Sequence, residues 1–89
     1  MTFGAARKHI LKAINATTSI LDEPRFAACV ADPGQNIPFA DLELDSLAAM
    51  EICMELEEKA GIEIDLGDLA VYPSVNELAE HVATVLAAK

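Results

Sequence analysis

Apolar residues recur at three- and four-residue steps in three stretches of this chain. Phe3, Ala6, Ile10, Ile14 and Thr17 make the first, with Leu11 and Ala13 beside them and Arg7, Lys8 and Lys12 assigned to the opposite side. That spacing predicts a helix from about Thr2 to Ile20. Ala49, Ile52, Cys53, Leu56 and Ala60 make the second. Asp45 suits its N-cap, Ser46 its first residue and Gly61 its stop, so a helix is expected from Ser46 to about Ala60. Val75, Leu78, Ala79, Val82, Val85 and Leu86 make the third, preceded by Pro73. Ser74 followed by Glu77 predicts a capping box at its start.

The intervening segments carry other signals. Asp22 to Leu44 holds Pro24, Pro33-Gly34 and Pro38, which interrupt regular structure. Within it, Arg25 to Val30 is compatible with a short helical turn, and Phe39 and Leu42 are expected to anchor its end. Ile62 and Ile64 continue inward in extended form. Asp65 to Val71 reads as a short helix holding Leu66 and Leu69, with Tyr72 packed at its end. The expected fold is all-α: a four-helix bundle of three main helices and a short third one, with residues 1–89 forming one domain.

Composition narrows the function. A chain of 89 residues buries about two thirds of its unfolded surface, enough for one modest core and too little for a deep enzymatic cleft. The net charge is −9, and between Asp41 and Asp68 ten acids face a single base, Lys59, while the remaining residues balance. The imbalance therefore sits on the second helix and its approach. Such a surface repels nucleic acid and anionic membranes and steers basic protein partners toward itself. Cys29 and Cys53 form no Cys-x-x-Cys pair and lie among apolar residues, so they are read as buried, reduced thiols. Met1 to Gly4 lacks the basic start and apolar run of a secretory leader. No apolar stretch nears the roughly 20 residues that cross a bilayer. A cytoplasmic monomer without membrane insertion is expected.

The candidate chemistry centres on Ser46. A serine at a helix start faces free backbone N–H groups and the positive end of the helix dipole, a favourable seat for a phosphate ester. Capping alone would also account for Asp45 and Ser46. A second apolar set, Leu47, Met50 and Met54, lies off the core face among Glu51, Glu55 and Glu58. It reads either as more core or as an exposed surface suited to transient contacts. Asp41, Glu43 and Asp45 match the first, third and fifth positions of an EF-hand loop. Ser46 and Ile52 occupy the positions that need glycine and glutamate, so that reading fails. Hydrolytic use of Ser46 is disfavoured, because His9 and His81 lie on other helices and no Gly-x-Ser-x-Gly turn is present. His81, beside the last apolar stripe, is read as structural.

Asp41-Leu42-Glu43-Leu44-Asp45-Ser46-Leu47, followed by Met50-Glu51 and Leu56-Glu57-Glu58, resembles the phosphopantetheine site of acyl carrier proteins. Asp41 to Val82 aligns with fatty-acid-type carriers without a gap. Val71-Tyr72-Pro73-Ser74-Val75 with Glu77-Leu78-Ala79 is more similar to carriers of polyketide and non-ribosomal peptide assembly lines. Glu43 stands where the family commonly has glycine, Ala48 where fatty-acid carriers often have an acid, and the connection from Asp22 to Leu44 is longer than usual. The resemblance implies that a separate phosphopantetheinyl transferase esterifies Ser46 with 4′-phosphopantetheine, whose thiol then holds acyl groups as thioesters. It implies that Asp45 and Leu47 flank the attachment. Together with Met50, Glu51, Met54, Glu57 and Glu58 they would meet acyl-loading and acyl-processing enzymes with basic docking surfaces. It places Ile64 and Ala70 near the arm or its cargo. The expected protein is a free-standing acyl carrier without catalytic residues, serving a specialised fatty-acid or polyketide-type pathway. An aminoacyl or peptidyl carrier is the alternative, and an unmodified acidic helical adaptor the reading from another class.

Overall fold

Helix α1 spans Phe3–Thr18 and opens on Thr2, whose hydroxyl accepts the Ala5 N–H at 3.2 Å. In the computed structural model, residues 2–18, 22–32 and 34–87 are described, 86 and 87 by backbone alone. The expected continuation of α1 to Ile20, the residue Pro33 and the side chain of Leu86 lie outside them. Ala6, Ile10, Leu11, Ala13 and Ile14 are buried on α1, as their spacing requires, and Lys8 and Lys12 are exposed. Arg7 corrects the pattern. Expected on the polar side, it is 3% exposed, because it falls in step with Phe3, Ile10 and Ile14 and finds acceptors there.

The long connection is folded. A 3₁₀ turn at Pro24–Phe26 leads into α2, Ala27–Ala31, where the sequence marked a helical turn. Phe26 is buried, with the Arg25 guanidinium 4.6 Å from its ring centre. Ile37 is buried as well, while the expected anchors Phe39 and Leu42 are half-buried against the core. Single backbone bonds tie the segment to the end of the chain: Val75 N–H donates to Ile37 O and Phe39 N–H to Pro73 O, at 3.0 and 2.9 Å. A second 3₁₀ turn, Phe39–Leu42, ends on Glu43.

Helix α3 covers Ser46–Ala60 with the expected boundaries. The Asp45 carboxylate accepts the Ala48 N–H at 2.7 Å. Gly61 closes the helix at φ 67°, a left-handed conformation that glycine adopts without a Cβ clash. Ile52, Cys53 and Leu56 are buried on one face; Ile62 follows them inward and Ile64 is half-buried. Helix α4, Leu66–Val71, opens on a reciprocal capping box in which Asp65 accepts the Asp68 N–H and Asp68 the Asp65 N–H. Leu69 is buried, while Leu66 is 43% exposed. In so short a helix Leu69 reaches the core, while Leu66, at the first position, stays at the rim.

Helix α5 covers Val75–Ala87. The buried Ser74 hydroxyl accepts the Glu77 N–H at 3.3 Å, which is its half of the expected box. Val75, Leu78, Ala79 and Val82 are fully buried, whereas Val85, expected in the same stripe, is 40% exposed, one turn beyond the last core contact. α1 packs against both α3 and α5, and α4 lies on α3. The buried apolar side chains form one cluster among them. The fold is all-α, three main helices and the expected short one, with α2 added in the connection. No helix of the described residues is long and apolar enough to cross a membrane.

Candidate functional site

Ser46 is exposed at the first position of α3. Two features place it. The Asp45 side chain is committed to the Ala48 N–H, which fixes the helix start, and the N–H groups of Ser46 and Leu47 precede the first intrahelical acceptor. Ser46 is therefore exposed beside backbone N–H groups that have no intrahelical acceptor, with Asp45 and Leu47 as its chain neighbours.

Along the same helix, Leu47, Met50 and Met54 are 65%, 48% and 55% exposed, which decides between the core and surface readings of that apolar set. Glu51, Glu57 and Glu58 are exposed as well. At these i, i+3 and i+4 steps the side chains form one stripe of apolar patches bordered by carboxylates. Glu51, Met54 and Glu58 also line a shallow depression of about 150 Å³ against Ala16 and Thr17 of α1.

On the other side of the α3 start lies a cleft of about 360 Å³, lined by Phe39, Ala40, Glu43, Leu44, Ala49, Leu69 and Ala70. It joins the approach turn, α3 and α4. Ala70 lines this cleft, and Ile64 packs against the core without lining it. Glu43 holds φ 52° and ψ 43°. This is the left-handed region, which favours glycine.

The connection upstream of the cleft is held by Arg7 and Asn36. Arg7 Nε donates to Asn76 Oδ1 at 2.8 Å and Nη1 to Val30 O at 3.2 Å; Nη2 donates to the carbonyls of Cys29, Asp32 and Gln35. The Cys29 and Val30 carbonyls end α2 and lack partners within it. Asn36 completes the network: Oδ1 accepts the N–H groups of Ile37 and Asn76, and Nδ2 donates to Ser74 Oγ. The connection that leads to Ser46 is thus tied to α1 and α5. Burial pulls the Arg7 pKa down, opposed by Cys29 and Asp32. The legible signal was the step of Arg7 relative to Phe3, Ile10 and Ile14; nothing in the sequence pointed to Asn36.

The two histidines stand apart from Ser46 in this arrangement. His81 stacks on Tyr72, centroids 4.2 Å apart and planes 17° off parallel, and His9 lines a separate groove with Lys12, Glu55 and Lys59. Cys53 is a buried free thiol and Cys29 a half-buried one. Burial raises the Cys53 pKa, helped by the negative charges of Asp65 and Asp68. Among the described residues no group of three or more His, Cys, Asp or Glu is placed to hold a metal ion.

Residues 27–82, from the start of α2 into α5, match a family model described as a phosphopantetheine attachment site. No curated protein and no solved structure matches the chain.

Proposed function

Because the chain belongs to the phosphopantetheine-attachment family of acyl and peptidyl carriers, we propose that Ser46 is its attachment residue and that residues 1–89 work as one acyl carrier unit. The family carries a covalently attached 4′-phosphopantetheine, and a carrier domain of this kind works with a phosphopantetheinyl transferase and acyl-processing enzymes. When bound, that group supplies a thiol that forms thioesters. Everything else falls to the chain's own residues. On the transferase, Ser46 Oγ gives up its proton and forms the phosphate ester as the diphosphate bond of coenzyme A breaks and its adenosine bisphosphate leaves. The early N–H groups of α3 and the helix dipole favour the ester's charge. Asp45, which accepts the Ala48 N–H, fixes the helix start on which Ser46 stands.

The stripe of Leu47, Met50, Glu51, Met54, Glu57 and Glu58 is the proposed docking face for enzymes with basic surfaces. Its carboxylates accelerate encounter and add little affinity, since exposed pairs are worth roughly 0–1 kcal/mol each. The three apolar side chains add area that a partner can cover and release. Weak, fast docking suits a protein that serves several enzymes in turn. Carriers of this family are as a rule non-catalytic, and this one is read the same way. A specialised fatty-acid or polyketide-type pathway is the favoured setting, in the cytoplasm, where free thiols such as Cys29 and Cys53 stay reduced. An aminoacyl cargo is the second reading, favoured by the carboxylate residue at the cleft.

The observation that carries this proposal is the exposed hydroxyl at the first residue of α3. Intact mass after incubation with coenzyme A and a broad-specificity transferase tests it. A phosphopantetheine mass gain is expected in the native chain and none in Ser46→Ala. An equal gain in Ser46→Ala overturns the assignment, and no gain in either favours an unmodified adaptor.

A further inference from the structure

We propose that Glu43 makes the cleft beside Ser46 selective for an acyl group bearing a protonated amine over neutral or carboxylate-bearing acyl groups. This inference rests on Ser46 being the attachment residue and, for the cargo of that same site, takes the aminoacyl reading over the fatty-acid-type one.

The cleft has a volume of about 360 Å³, at the small end of small-molecule pockets. Phe39, Ala40, Leu44, Ala49, Leu69 and Ala70 make its walls apolar, and Glu43 is the single ionisable residue that lines it. One carboxylate on an otherwise apolar surface reads charge, because the cargo's remaining contacts are indifferent to it. Glu43 is bonded through its backbone, whose N–H donates to Ala40 O at 3.4 Å. Its side chain has no hydrogen bond or ion pair among the described residues. Lys59 is the only base between Asp41 and Asp68 and lies on the groove toward His9 and Lys12, not in this cleft. The charge of Glu43 is thus left for whatever occupies the cleft.

The backbone supports the same reading. Glu43 occupies the left-handed region at φ 52°, the only non-glycine among the described residues to do so. Glycine would fill that position without strain. A strained residue persists where surrounding structure holds it, and such residues gather at ligand clamps. Here the turn from Phe39 to Leu42 and the Asp45 cap hold Glu43 from both sides. An ammonium entering the cleft meets an unpaired carboxylate at its exposed edge, an attraction modest for one pair but enough for a severalfold bias between cargoes that differ only in charge. A carboxylate-bearing cargo meets repulsion from Glu43, with Asp41 and Asp45 close by in sequence adding to it.

The test uses the full chain loaded at Ser46 with three arms of similar length: 3-aminopropanoyl, butanoyl and carboxyacetyl. Amide ¹H–¹⁵N shifts of Ala49, Leu69 and Ala70 report cleft occupancy, and thioester hydrolysis half-life reports shelter. The 3-aminopropanoyl form is expected to shift these amides at least threefold more than butanoyl and to hydrolyse more slowly relative to the same thioester on free pantetheine. Carboxyacetyl is expected to shift them least. Glu43→Gln should erase the differences while leaving the butanoyl shifts in place, and Glu43→Asp should keep part of them. Equal shifts for the three arms in the native chain, or a preference that survives Glu43→Gln, overturn the proposal. Either result leaves Ser46 as the attachment residue, since the loading mass is read first; a chain that takes no arm at Ser46 overturns both.

Discussion

Replacing Arg7 by Met should destabilise the fold far more than its exterior-looking sequence position implies. The guanidinium is 3% exposed and donates to the side chain of Asn76 and to the carbonyls of Cys29, Val30, Asp32 and Gln35. Methionine keeps most of the apolar stem and deletes every donor. Asp32 and Gln35 are exposed, and their carbonyls can turn to water; Cys29 and Val30 are half-buried and at the end of α2. Two shielded acceptors left without partners cost about 1–3 kcal/mol each, and relief of the desolvated charge returns part of that, so a net loss of about 3 kcal/mol is expected. A domain of this size is worth roughly 4–13 kcal/mol in total at the usual 0.05–0.15 kcal/mol per residue. At about 4–8 °C per kcal/mol, the unfolding midpoint should fall by roughly 12–24 °C. Thermal and urea unfolding followed by far-ultraviolet circular dichroism measure it. Arg7→Lys keeps the charge but loses the planar fork, and should recover less than half of the loss. A loss below about 1 kcal/mol for Arg7→Met would mean that the carbonyls are solvated without it, and the account of the connection as anchored by this residue would fall.

Three further outcomes follow from charge. Reversing Glu51 and Glu57 to Lys should slow transfer of phosphopantetheine to Ser46 without reducing helicity, and the native rate should drop as added salt shortens the screening length from about 8 Å at physiological ionic strength. A mass-spectrometric time course measures both, and a rate indifferent to salt contradicts the docking face. The Cys53 pKa is raised above the ordinary thiol value of 9.0, so the folded state holds that proton more tightly than the unfolded chain does. Its contribution to stability is complete below pH 9.0 and is lost as pH rises through the higher folded value. Unfolding free energy measured across that window should fall more steeply in the native protein than in Cys53→Ala, and parallel curves would refute the assignment.

Much of the candidate site was readable because its causes are local. Asp45 and Gly61 mark the ends of α3 through bonds to residues within five positions. The Leu47, Met50 and Met54 face follows from periodicity, although its exposure needed the packing of α1 and α4 to decide it. The capping box at Asp65 and Asp68 is as local as the one anticipated at Ser74. Its signature of two aspartates three apart is less distinctive than Ser-x-x-Glu. Val85 falls in the apolar stripe yet is exposed, because periodicity assigns a face and not the point along a helix where its neighbour ends.

The chain's own order of residues determined that it is helical, where α3 and α5 begin, and that a serine stands at the head of an acidic helix, since caps, glycine stops and apolar spacing act over a few residues. The burial of Arg7 was decided only by the folded molecule, because its carbonyl acceptors lie 22 to 28 positions away. The cleft was decided there too, since Glu43, Ala49 and Ala70 meet only when α4 lies on α3. A buried cation and a cavity wall depend on what long-range packing excludes from water, and that information is absent from any short window of sequence.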